Sequence, residues 1–192
     1  MQKKNRMNYY FIVNPVSGRG RGRVIGKKLK SLIDEMKLDA ILHFTKAPGH
    51  AIEIADRACE QFACVVAVGG DGTLNEVVNG VAENNAKLGL LPVGSGNDFA
   101  HALNIPHNIE HSLHRLLNGQ NRRIDLGKAN GRYFYNGLGI GFDAHVVHAS
   151  LKVKRLRGNA IYLYSVLRTL LKYRPVPLRM RYNGQTYIRD YL

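Results

Sequence analysis

The fold of this chain is decided by the stretch Ala63-Cys64-Val65-Val66-Ala67-Val68-Gly69-Gly70-Asp71-Gly72-Thr73. Its first six residues are all apolar, which is typical of a strand that is covered on both faces. The next five contain three glycines, an aspartate and a threonine. Apolar residues at helical spacing follow over 74–81. The stretch therefore predicts a buried strand, a glycine-rich loop and a helix.

The same order of strand, loop and helix recurs on both sides of this stretch. Upstream, β-rich residues 9–13 and 39–45 alternate with helical patterns over 23–37 and 52–62. Downstream, residues 87–91 form another predicted strand. Such alternation predicts an α/β fold in which a parallel sheet is flanked by helices. Ligands of these folds bind at the carboxyl ends of the strands, where the loops lie.

The pattern changes after residue 122. Asn130-Gly131 predicts a tight hairpin turn, and Asn183-Gly184 predicts a second one. A helical pattern over 161–171 lies between them. We therefore expect an α/β nucleotide-binding domain over 1–126 and a partial β-rich second domain over 127–192.

The glycine-rich loop has the chemistry of a phosphate cradle. Glycines allow backbone N–H groups to face a ligand, and the following helix directs its positive end at the same place. Thr73 adds a hydroxyl donor. Asp71 would repel a bare phosphate, so we expect it to orient Mg²⁺-bound water or to polarise an acceptor hydroxyl. The other interpretation is an ordinary tight turn in which Asp71 caps the helix.

Two more polar loops follow predicted strands. Asn14-Pro15-Val16-Ser17-Gly18 comes after the first strand, and Gly94-Ser95-Gly96-Asn97-Asp98 comes after the fourth. Both offer amides, hydroxyls and exposed backbone beside the cradle. Asp98 also fits the role of a helix cap. Together the loops predict one polar rim suited to phosphates.

These motifs resemble the diacylglycerol kinase catalytic-domain family, which includes bacterial diacylglycerol kinases and related sphingosine and ceramide kinases. The resemblance runs in order from about Tyr9 to Asp143 and includes Arg123-Ile124-Asp125-Leu126-Gly127 and Asn136-Gly137-Leu138-Gly139-Ile140-Gly141. Gly-Gly-Asp-Gly alone is shared with NAD kinases and phosphofructokinases. The flanking motifs favour the lipid kinases.

The resemblance implies an ATP- and Mg²⁺-dependent kinase that transfers the γ-phosphoryl group to a lipid hydroxyl, such as that of diacylglycerol. It implies a three-layer, NAD kinase-like α/β domain followed by a β-sandwich domain, which begins here but is incomplete. Asp71 is the predicted catalytic residue, and no metal ligand is assigned. With the loop chemistry above, the predicted nucleotide-binding residues are Asn14, Pro15, Ser17, Gly18, Thr45, Gly69, Gly70, Asp71, Gly72, Thr73, Asn75, Glu76, Ser95, Gly96, Asn97 and Asp98.

The sequence departs from the family pattern in its last part. The resemblance implies a longer protein than this chain. It also implies a glutamate that acts as the general base near the C-terminus and a structural Mg²⁺ site in the second domain. Neither has a counterpart before Leu192. We therefore expect a C-terminally truncated lipid kinase, and one hypothesis is that the chain is inactive because the C-terminal catalytic part is missing. The alternatives are a nucleotide-binding remnant without catalysis and an NAD kinase-like enzyme.

The net charge of +14 indicates an anionic partner: nucleotide phosphates, an acidic membrane surface or nucleic acid. Ten basic residues lie between 151 and 192 against one acidic residue. They predict peripheral contact with an anionic membrane, and a solvated basic face explains them equally well. Nucleic acid is not an expected partner, because interleaved aromatic stacking residues are absent.

The sequence also bears on location, thiol state and assembly. Apolar runs are too short for a signal peptide or a membrane span, so we expect a cytoplasmic protein. Cys59 and Cys64 are expected to be buried, reduced thiols. The sequence leaves the oligomeric state open, a homodimer included.

Overall fold

The computed structural model describes residues 8–153 and 159–191. They form two compact units that divide after Asn136. The division comes ten residues after the predicted boundary at residue 126, because the first hairpin packs on the first unit. The domain limits themselves stay a prediction.

The first unit is built on a four-stranded parallel sheet of order β2-β1-β3-β4. Its strands are β1 (Tyr9–Val13), β2 (Ala40–Phe44), β3 (Cys64–Gly69) and β4 (Lys87–Pro92). Its helices are α1 (Arg21–Glu35), α2 (His50–Ala58), α3 (Asp71–Val81), α4 (Asp98–Ala102) and α5 (Ile109–Asn118). The predicted α/β class is confirmed.

The parallel register brings the strand ends to one edge of the sheet. Val13 lies beside Phe44 on one side and Val68 on the other, and Gly69 lies beside Pro92. The loops that follow all four strands therefore leave the sheet at the same edge.

The core has two layers, one on each face of the sheet. Phe11 and Val66 point into a layer that contains residues of α1 and α5. Ile12 and Val65 point into the opposite layer, which contains residues of α2 and α3. This alternation follows from the two-residue repeat of a strand. Because both faces are covered, β3 is buried along its whole length, as its continuous apolar run predicts.

The first hairpin, β5 (Gly127–Ala129) and β6 (Arg132–Phe134), attaches to α3 through one asparagine. Asn79 Oδ1 accepts from the Tyr133 N–H at 2.8 Å, and Asn79 Nδ2 donates to the Tyr133 carbonyl at 2.9 Å. The side-chain amide thus satisfies both backbone groups of Tyr133 as a neighbouring strand would. Lys128 Nζ and Tyr133 Oη also donate to Glu83 Oε1, at 2.9 and 2.8 Å.

The second unit contains α6 (Phe142–Leu151), α7 (Asn159–Leu170) and the hairpin of β7 (Val176–Tyr182) and β8 (Gln185–Tyr191). The sequence predicted α7 and this hairpin but not α6. Apolar residues in α6 are spread around the helix rather than gathered on one side, so helical spacing does not reveal it. The basic residues Lys154, Arg155 and Arg157 lie outside the described residues.

Within the described parts of the chain, no helix is both long enough and apolar enough to cross a bilayer.

The two cysteines are free. Cys64 is buried in β3 as predicted, but Cys59 at the end of α2 is only half-buried. Burial raises the pKa of the Cys64 thiol from 9.0 to about 11. Burial also raises the pKa of the Cys59 thiol. The thiolate is the reactive form, so a raised pKa means slower labelling at any fixed pH.

We expect Cys64 to resist alkylation at pH 8, where a pKa near 11 leaves only about 0.1% of the thiol ionised. Labelling with iodoacetamide, followed by mass spectrometry, should find Cys64 modified at least about 100-fold faster in urea than in buffer. Fast labelling of Cys64 in the folded protein would contradict the burial of β3.

Candidate functional site

A cleft of 510 Å³ opens where the strand-end loops meet. Three of these loops are the first loop (residues 14–20), the second loop (residues 69–73) and the third loop (residues 93–97). The end of β2 and the start of α2 complete the walls. The lining residues are Asn14, Pro15, Val16, Ser17, Gly18, Thr45, Lys46, Ala47, Pro48, Ala51, Gly70, Gly72, Thr73, Glu76, Gly94 and Ser95.

The first loop is tied to the second by Asn14. Its Nδ2 donates to the Thr73 hydroxyl at 2.9 Å, and its Oδ1 accepts from the Val16 N–H at 3.1 Å. The amide therefore shapes its own turn and orients the threonine at the same time. Because Thr73 Oγ1 accepts from Asn14, its hydroxyl proton is available to a ligand.

The second and third loops touch through their backbones. A side chain on Gly94 would place its Cβ 2.5 Å from the Cα of Gly70. The Val93 N–H donates to the Gly69 carbonyl at 2.8 Å, which continues the sheet pairing into the loops. Only glycine allows this close approach.

The Asp71 carboxylate braces the third loop. Its Oδ2 accepts from the Asn97 N–H at 2.7 Å, and its Oδ1 lies 3.5 Å from the Phe99 nitrogen. Asp71 therefore links the first turn of α3 to the beginning of α4. The sequence suggested that Asp71 caps α3 itself, but its carboxylate accepts from Asn97 at the end of the third loop and faces the Phe99 N–H in α4.

Tyr135 approaches the same place from the segment after the first hairpin. Its hydroxyl donates to the Asp71 carbonyl at 3.0 Å, and its ring packs edge-on against Phe99. Burial first, and then the charges of Asp71 and Asp98, raise the pKa of the Tyr135 hydroxyl. The phenol thus stays protonated and keeps its role as a donor.

The third loop is stiffened from inside by Asn97. This residue adopts left-handed backbone geometry with φ of 59° and is 3% exposed. Its Nδ2 donates to the Gly94 carbonyl at 2.8 Å. Asparagine tolerates this geometry better than most residues.

The wall opposite the glycines is formed by the end of β2 and by α2. Glu76 Oε2 accepts from the Ala51 N–H at 3.2 Å, in the first turn of α2. The Lys46 N–H donates to Nδ1 of His50 at 3.0 Å, which holds the turn between β2 and α2.

Ten of the sixteen predicted residues line the cleft, namely Asn14, Pro15, Ser17, Gly18, Thr45, Gly70, Gly72, Thr73, Glu76 and Ser95. The other six do not line it: Gly69, Asp71, Asn75, Gly96, Asn97 and Asp98. Asn75 donates to the Tyr133 carbonyl at 3.3 Å and so helps to hold the hairpin. Their roles in ligand binding stay a prediction.

Six residues that line the cleft were not among the predicted nucleotide-binding residues: Val16, Lys46, Ala47, Pro48, Ala51 and Gly94. Sequence reasoning also missed the brace from Tyr135. The turn at 46–48 could have been found, because it follows a strand that pairs with β1 and so ends at the same edge. No local signal pointed to Tyr135.

The diacylglycerol kinase catalytic domain matches residues 8–129, which contain all three loops. The chain belongs to the diacylglycerol kinase catalytic-domain family. It is similar to the diacylglycerol kinase of Bacillus subtilis (strain 168), with 35% identity over 184 residues that cover 92% of this chain and 60% of the relative. It is also 35% identical to the diacylglycerol kinase of Staphylococcus aureus (strain bovine RF122 / ET3-1), over 97% of this chain and 59% of the relative.

Solved structures agree with this family assignment. The crystal structure of a diacylglycerol kinase from Bacillus anthracis str. Sterne matches with a TM-score of 0.71 at 27% identity, covering 98% of this chain and 63% of that one. Another crystal structure from the same strain matches with a TM-score of 0.75 at 28% identity, covering 97% and 65%. The chain thus spans about 60% of the length of the curated family members it matches.

Proposed function

We propose that this member of the diacylglycerol kinase family binds ATP in the cleft and transfers its γ-phosphoryl group to a lipid hydroxyl, such as that of diacylglycerol. The observation that carries the proposal is the convergence of three strand-end loops around one cleft, with glycine backbones in contact at 70 and 94. The names of the family relatives supply the substrate class.

The chain's own groups suit a polyphosphate. The first N–H groups of α3 have no partner within the helix, and they sit beside the glycines of the second loop. The Thr73 hydroxyl, held by Asn14, adds a donor. Neither Gly70 nor Gly72 has a side chain that would occupy the phosphate position. Phosphoryl transfer depends largely on such positioning and electrostatic stabilisation.

We propose that Mg²⁺ binds together with the nucleotide and not in a separate site made only of protein ligands. No group of three or more metal-ligating side chains occurs among residues 8–153 and 159–191. Magnesium keeps several waters and binds through one or two carboxylates plus substrate phosphates, so such a group is not required. When bound, the ion neutralises charge on the phosphates. Asp71 is the carboxylate we propose to orient its water shell.

The lipid substrate requires contact with a membrane, and the second unit carries exposed basic residues. Those among the described residues are Lys152, Arg168, Lys172, Arg174, Arg179, Arg181 and Arg189. Each cation near an anionic leaflet contributes about 1 kcal/mol. We propose peripheral contact at the cytoplasmic face of the membrane.

Two measurements test the proposal. Titration calorimetry with ATP and Mg²⁺ should give saturable binding heat. Incubation with labelled ATP and diacylglycerol micelles should then produce phosphatidic acid. ATP binding without phosphatidic acid would favour a nucleotide-binding protein without catalysis, and NADP formation from NAD would favour an NAD kinase. Absence of any ATP heat would refute the nucleotide site itself.

A further inference from the structure

Arg21 begins α1, where a positive charge is electrostatically unfavourable. The first turn of a helix presents unpaired N–H groups and favours acidic residues, yet the first turn of α1 contains none. Three residues with positive φ precede it: Gly18 at 57°, Arg19 at 61° and Gly20 at 90°. The first loop therefore ends in three consecutive residues of left-handed backbone geometry, directly before the helix.

The Arg21 guanidinium supplies three contacts to two loops. Its Nε donates to the Gly18 carbonyl at 3.2 Å. Its Nη2 donates to the carbonyls of Val93 at 3.3 Å and Gly94 at 3.2 Å. The acceptors lie more than seventy residues apart in sequence, on the first and third loops.

The three carbonyl acceptors also stabilise the positive charge of Arg21 at the start of α1. Three carbonyl dipoles converge on one cation, which offsets the unfavourable helix end. The planar guanidinium presents several N–H groups in fixed directions, so it can reach two loops at once. A lysine has one nitrogen on a flexible stem and cannot reproduce this fork.

Gly18 and Gly94 both line the cleft. Both loops that Arg21 joins therefore line the proposed nucleotide site, and the second loop is in backbone contact with Gly94. Without the guanidinium, the first loop would lose its side-chain link to the third.

We infer that Arg21 is a positioning residue that clamps the first loop to the third and so presets the cleft for a nucleotide. The inference rests on the proposed ATP site for its functional meaning. The clamp itself is a property of the protein without nucleotide, so it can be tested separately.

The test compares Arg21→Gln and Arg21→Lys with Arg23→Gln. Arg23 lies on the same helix and is exposed, and its side chain makes no hydrogen bond or ion pair with any residue that the structure describes. The Arg23 variant therefore removes the same charge without touching the clamp. Circular dichroism should show that all three variants are folded, because both arginines are exposed.

The first measurement is amide hydrogen exchange without nucleotide at Gly20 and Gly94. The Gly20 N–H donates to the Val16 carbonyl in the first loop, and the Gly94 N–H donates to the Gly69 carbonyl in the second loop. Arg21→Gln should exchange about tenfold faster at these amides, with core amides of β3 unchanged. Arg21→Lys should recover less than half of the lost protection. Unchanged exchange in Arg21→Gln, or full recovery with lysine, would overturn the inference.

The second measurement is ATP–Mg²⁺ calorimetry. Arg21→Gln should bind about tenfold more weakly, while Arg23→Gln stays within about twofold. Weaker binding without faster exchange would indicate a direct phosphate contact and would overturn the positioning role. If the unchanged protein gives no ATP heat, the proposed function fails, and the exchange comparison alone decides the clamp.

Discussion

Replacing Gly94 with alanine is expected to weaken ATP binding about 100-fold. The new Cβ would lie 2.5 Å from the Cα of Gly70 and 2.7 Å from Oδ1 of Asn97. The first of these is a backbone atom, which cannot rotate away as a side chain can. The second and third loops must therefore separate, and the N–H groups proposed to hold the phosphates lose their alignment.

Calorimetry with ATP and Mg²⁺ measures this effect. The matched control is Gly137→Ala, because a Cβ at Gly137 meets no atom within 4 Å and its φ is not in the left-handed region. That variant should bind ATP like the unchanged protein. The thermal unfolding of Gly94→Ala should stay cooperative, since the contact lies at the sheet edge and outside the two core layers. Near-normal ATP affinity in a folded Gly94→Ala protein would show that the cleft does not hold the phosphates.

Replacing Asp71 with asparagine should reduce phosphatidic acid formation by about 10²–10⁴-fold. The substitution preserves size and one oxygen that can accept from the Asn97 N–H. It removes the negative charge and points an amide NH2 group, a donor, at the Phe99 N–H, which Asp71 Oδ1 faces at 3.5 Å. We therefore expect the fold to persist and ATP affinity to fall by only about threefold.

The contrast between turnover and affinity separates two roles for Asp71. A large loss of kcat with little change in ATP affinity supports the proposed role at the reacting phosphate. Parallel losses in both would mean that Asp71 acts only as the brace of the third loop. Asp34→Asn is the control, because Asp34 is an exposed carboxylate on α1, and it should leave both quantities unchanged. Normal turnover in Asp71→Asn would show that the role is misassigned.

Strands were predicted correctly where burial requires a continuous run of apolar residues or of residues with high β-propensity. Strand β1 was predicted at residues 9–13 and is found at Tyr9–Val13. The predicted strand at 63–68 is found at Cys64–Gly69. Helix ends were less accurate: α1 begins at Arg21 rather than at residue 23, because its start depends on the turn over 18–20 and not on apolar spacing.

The first hairpin shows that a local sequence pattern can predict a turn without predicting its tertiary contacts. Asn130-Gly131 correctly indicated its turn, and both residues have positive φ. The pattern could not show which unit the hairpin packs on. That is decided by Asn79, whose side chain bonds the Tyr133 backbone across 54 positions in sequence.

Local chemistry was sufficient to predict the α/β class and the three glycine-rich loops, because strand burial and backbone freedom leave short-range marks in sequence. Parallel pairing then required the loops to share one edge of the sheet. The partners of Arg21, Asp71 and Tyr135 were decided by folding alone. Each bonds a backbone group whose position depends on how loops and helices pack. Nearly all residues have the same backbone carbonyl and N–H, so the sequence does not show which of them a distant side chain will contact.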